Sequence, residues 1–148
     1  MKIQPITAAL ALALGVAFAP AHAADPAMSK EAYKAEKEKI EAQSKTDHKA
    51  CDAMKANAKD VCQAEAKARE KVAKAELDAK RTPGARSEEK VRMAKADTEY
   101  DVAKEKCDDQ TGAAKDTCRK EAKAAHDAAR KTAKAAASGK PMETEKKS

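Results

Sequence analysis

The sequence predicts an all-α chain of two Ala-rich antiparallel helical hairpins, elongated or gathered into a loose four-helix array, each clipped by a disulfide. Three observations carry this: a composition dominated by helix formers, a cysteine-bearing repeat, and one clear break between the two copies of that repeat. Residues 1–23 stand apart. Lys2 gives a basic start, Ile6 to Phe18 is apolar, and Ala21-His22-Ala23 is a small-residue end. This is the pattern of a secretory signal peptide, cut between Ala23 and Ala24. The apolar run is shorter than the roughly 20 residues a membrane span needs, and a proline follows it. The expected address is the periplasm, with no membrane span after cleavage.

Residues 24–148 then contain only six large aliphatic residues: Ile40, Val61, Val72, Leu77, Val91 and Val102. A conventional hydrophobic core cannot be assembled from these. Ala, Lys and Glu are nevertheless strong helix formers. Glu65 and Arg69, Glu70 and Lys74, Glu76 and Lys80, and Asp127 and Lys131 also place an acid four residues before a base, the favourable order on a helix. The chain is driven towards helix locally and is poorly supplied with tertiary contacts.

Taken in order, residues 24–28 form a lead-in, and Ser29 followed by Glu31 marks a helix start. Residues 29–81 form the first hairpin and residues 82–87 a hinge. Ser87 reads as the cap of the next helix ahead of Glu88 and Glu89. Residues 88–137 form the second hairpin, and 138–148 a polar, disordered tail. Across the hinge, the stretch from Cys51 to Cys62 matches that from Cys107 to Cys118 as C-D-x5-A-K-D-x-C, 56 residues apart.

Cysteines eleven apart on one continuous helix would lie about 16 Å apart along its axis, so a local bond requires chain reversal. Gly112 suits a left-handed turn residue in the second copy, and the first has Asn57, the next-best residue for such a turn or for capping the helix that follows. In an antiparallel hairpin, facing residues have position numbers of constant sum. Around Gly112-Ala113 this pairs Cys107 with Cys118, Ala103 with Ala122, Tyr100 with Ala125, Ala96 with Ala129 and Met93 with Thr132. The first copy pairs Cys51 with Cys62 and Ile40 with Ala73 and sets Lys37 against Glu76, but it also puts Ser44 opposite Arg69. Local bridges are preferred, while crossed bridges, Cys51 to Cys118 and Cys62 to Cys107, stay open because sequence does not fix connectivity. An oxidising compartment favours bridges of either kind.

Catalytic chemistry finds no foothold in the sequence. Zinc knuckles, a C-x-x-C redox pair, a nucleophile elbow and a phosphate-binding Gly loop are all missing. His48 lies three residues before Cys51 but lacks a closed ligand set, and His126 reads as a solvated residue on an Ala-rich helix. No enzyme activity, metal or other cofactor is expected. The net charge of +6 is concentrated in the last helix, where Arg119, Lys123, Arg130 and Lys134 fall on one ridge. That ridge is a candidate for anionic envelope polymers or lipids. Nucleic acid is not expected, since the export signal takes the chain away from it, and the oligomeric state is open.

The cysteine repeat and its Ala/Lys helices resemble small exported proteins of Gram-negative bacteria, largely uncharacterised and described as TolA-like or cell-envelope proteins. That resemblance implies an envelope placement and no catalytic or binding residues. The expected function is a non-enzymatic periplasmic structural or interaction protein. Its alternatives are a cationic binder acting through the last helix and a periplasmic stress chaperone.

Overall fold

A computed structural model describes residues 28–139. The expected signal peptide, its Ala23/Ala24 cleavage site, most of the lead-in and residues 140–148 of the expected tail lie outside the described residues. Four helices follow one another: α1 (Lys30–Cys51), α2 (Ala56–Arg81), α3 (Ala85–Cys107) and α4 (Gly112–Ala137). There is no strand among the described residues. Helices α1 and α2 form one hairpin, α3 and α4 the other.

Local chemistry sets the ends. Ser29 caps α1, its Oγ accepting a hydrogen bond from the Ala32 N–H at 3.1 Å, with Glu31 in the first turn against the positive end of the helix dipole. Helix α4 stops at Ser138, whose N–H donates to the Lys134 and Ala135 carbonyls. Gly139 follows in the left-handed region at φ +64°, a common helix exit.

The hinge is shorter than the sequence implies. Gly84, at φ +145°, lets the chain reverse within Thr82–Gly84, so α3 starts at Ala85 with Gly84 as its cap. Ser87 is therefore inside the first turn of α3 rather than at its cap, and its hydroxyl donates to the Thr82 carbonyl.

Helices pack only against their chain neighbours: α1 on α2, α2 on α3, α3 on α4. Helices α1 and α4 are not in contact among the described residues, so the array is open and both are edge helices. The two cysteine turns lie at one end and the hinge at the other. The interior matches the composition. Its buried apolar residues are Ala66, Leu77, Ala94, Ala96 and Ala133 together with Cys51 and Cys107, and the two half-cystines are the largest fully buried side chains. In so thin a core the disulfides serve as packing as well as cross-links. Buried Ser44 donates to Glu70 at 2.6 Å, and buried Thr98 donates to the Ala94 carbonyl at 2.8 Å, so neither hydroxyl is left unsatisfied.

The acid-before-base pairs of the sequence are mostly redirected. Only Glu70 and Lys74 meet within one helix. Glu65 instead reaches Lys106 at 2.9 Å and Glu76 reaches Lys95 at 2.8 Å, both on α3, while Arg69 reaches Asp47 on α1 at 2.9 Å. Lys37 pairs with Glu41, not with Glu76. A neighbouring helix offers carboxylates and ammonium groups at equal reach. The α2–α3 seam is thus tied by two cross-helix ion pairs in addition to small-residue packing.

Candidate functional site

Both disulfides are local. Cys51 bonds Cys62 and Cys107 bonds Cys118, each with Cα atoms 5.6 Å apart, and no cysteine is free. The array does bring both cysteine turns to the same end, as crossed bridges would require. Reversal across each turn, however, places the two cysteines flanking that turn directly opposite one another.

The repeat also pairs its own charges. In the first copy Lys59 Nζ lies 3.1 Å from Asp52, and in the second Lys115 Nζ lies 3.3 Å from Asp108. The Asp after the first cysteine and the Lys before the second Asp therefore clasp each turn beside its disulfide. The motif is a structural clip, as the cysteine spacing predicts, with an Asp–Lys pair that spacing alone does not reveal.

The turn residues differ between copies. Gly112 takes φ +56° as the first residue of α4. Its equivalent is Ala56, which is forced to φ +48°, a region that costs a residue with a Cβ about 1–2 kcal/mol. Asn57 is not the left-handed residue. It sits one position later, and its Nδ2 donates to the Glu105 carbonyl at 2.9 Å, joining the first turn to the end of α3.

The predicted α4 ridge is largely neutralised by the protein itself. Arg119 pairs with Asp108 at 2.7 Å, Lys123 with Asp127 at 2.6 Å and Arg130 with Asp97 at 2.5 Å. Lys134 has no ion-pair partner among the described residues. The hydrogen bond from Arg119 holds the Asp108 carboxyl below its usual range, with Lys115 adding to the effect against some burial.

His126 is not solvated. It stacks on Tyr100 with ring centroids 4.7 Å apart and 12° between planes, and its Nε2 lies 2.7 Å from Asp97 Oδ1. Burial pushes the Asp97 carboxyl up. The hydrogen bonds to His126 and Arg130, with the charges of Arg130 and Lys71, outweigh it and hold the group below its usual range. This cluster locks α3 to α4. In the other hairpin, Tyr33 donates to Asp78 at 2.6 Å while the Arg81 guanidinium covers its ring at 4.5 Å, locking α1 to α2.

A groove follows the α2–α3 seam. Its central cleft, about 440 Å³, includes Lys71, Arg86, Lys90 and Asp97. A hinge cleft of about 700 Å³ shares Arg86 and Lys90 and adds Arg81 and Asp78. A third, about 630 Å³, shares Lys71 and continues past Lys67 and Lys104 to His48 of α1. The α3 lining residues Arg86, Lys90, Met93, Asp97, Asp101 and Glu105 step by threes and fours, so they form one helical face about 28 Å long. No group of three His, Cys, Asp or Glu side chains among the described residues is placed to hold a metal ion.

No family model, curated protein or solved structure matches the chain. No helix among the described residues is long and apolar enough to cross a membrane.

Proposed function

We propose that this chain is an exported, non-enzymatic interaction protein of the periplasm, a disulfide-clipped helical array whose edge helices dock onto envelope components. The observation that carries the reading is the open array: α1 and α4 each pack against a single neighbour. Each thus keeps an unpartnered face of alanines and charged residues, exemplified on α4 by exposed Ala124, Ala125 and Ala128. Small side chains allow a partner helix to approach closely, and flanking charges set its orientation. The two disulfides support an oxidising destination, and the signature of residues 1–23 supplies the route.

The test is site-specific photocrosslinking in living cells, with the probe placed at Ala35 on α1, at Ala125 on α4, and at Lys67 on the α2–α3 seam. Reproducible adducts with the same envelope component from Ala35 or Ala125, formed in the periplasmic fraction and absent from Lys67, are expected. Adducts from the seam alone, or accumulation in the cytoplasm with free thiols, would overturn the reading.

A further inference from the structure

In the seam groove, cations with no carboxylate assigned to them converge from two helices. Among the described residues no carboxylate lies within ion-pair distance of Lys71, Arg86 or Lys90. The carboxylates of the same clefts are engaged elsewhere. Asp97 is held by His126 and Arg130, and Asp78 accepts the Tyr33 hydroxyl. Among the described residues, Glu89 is the carboxylate of the central cleft with no ion-pair or hydrogen-bond partner. Arg86 and Lys90 stand one turn apart on α3, and Lys71 faces them across the seam from α2.

We propose that the hinge half of this groove binds a linear polyphosphate chain. A phosphate group offers several acceptor oxygens, which suits donors converging from two helices, and the Arg86 fork can engage two of them at once. The central cleft runs on into the hinge cleft through Arg86 and Lys90 towards Arg81, so successive phosphates have somewhere to lie. Single-stranded nucleic acid fits poorly, because base stacking needs free aromatic faces. The described aromatic rings are Tyr33, covered by Arg81, and Tyr100, stacked on His126. This inference does not rest on the edge-docking role above.

The experiment titrates the purified, oxidised protein with inorganic polyphosphate by calorimetry at low and at raised salt. The triple variant Lys71→Gln, Arg86→Gln, Lys90→Gln is compared with a charge-matched control on α4, Lys120→Gln, Lys131→Gln, Lys134→Gln. Binding that weakens with salt is expected, with a loss of about tenfold or more in the groove variant and less than about threefold in the control. Glu89→Gln, which removes the unengaged carboxylate of the central cleft, is expected to tighten binding by about two- to fivefold. Helical circular dichroism confirms that each variant is folded, and Glu89→Gln supplies the reading if the triple variant is not. Equal losses in groove and control variants, unchanged affinity in Glu89→Gln, absence of saturable binding at low salt, or equal binding of oligothymidylate or anionic vesicles would each overturn the proposal.

Discussion

Replacing Ala56 with Gly is expected to stabilise the protein, although Gly within a helix ordinarily destabilises relative to Ala. Ala56 sits at φ +48°, where a Cβ costs about 1–2 kcal/mol. Against that, Gly releases more backbone entropy on unfolding, about 0.5–1 kcal/mol relative to Ala. The difference leaves a net gain of about 0.5–1 kcal/mol for Ala56→Gly. The second copy supplies the reverse experiment. Gly112 holds the equivalent position at φ +56°, and an added Cβ there would meet nothing within 4 Å. Gly112→Ala therefore isolates the backbone conformation and should cost a similar amount. The assay is urea denaturation of the oxidised protein, read as opposite shifts of the midpoint at unchanged slope. If Ala56→Gly is neutral or destabilising while Gly112→Ala is harmless, the turns are not left-handed at these residues and the reasoning fails.

Three further outcomes follow from the same contacts. Converting Cys51 and Cys62, or Cys107 and Cys118, to Ser should each cost about 2.5–3 kcal/mol from loop closure, read as a fall in thermal midpoint that a reducing agent does not deepen for the missing bridge. His126→Ala removes the Tyr100 stack and one partner of Asp97, and should cost about 1–2 kcal/mol in chemical denaturation; no change would mean that the cluster does not lock α3 to α4. Acid should destabilise the protein. The folded state holds Asp97 and Asp108 below their ordinary value of 3.8, so their contribution is present above that value and is lost as pH falls through the lower folded values. Asp97→Asn should flatten this acid limb, and an acid limb unchanged in that variant would contradict the assignment.

Much of the second hairpin was readable because Gly112 marks its centre. Tyr100 meets His126 and Asp97 meets Arg130, within two positions of the register centred on Gly112-Ala113. The first hairpin was harder because Ala56 gives no sign of a turn. Its apparent fault, Ser44 opposite Arg69, dissolves once side-chain direction is known, since Ser44 turns to Glu70 and Arg69 to Asp47. The pairing of the α4 ridge was not legible for a different reason. Periodicity counts the cations on one helix and does not see Asp97 and Asp108 arriving from α3. The seam groove was invisible for the same reason in reverse, because its cations come from two helices belonging to different hairpins.

Non-reducing peptide mapping of the protein recovered from the periplasmic fraction reads export and local cysteine pairing in one experiment. A mature chain beginning at Ala24, Cys51 linked to Cys62, Cys107 linked to Cys118, and no free thiol are expected. Crossed linkages, reduced cysteines, or a chain that retains residues 1–23 would contradict an exported chain held as two locally clipped hairpins.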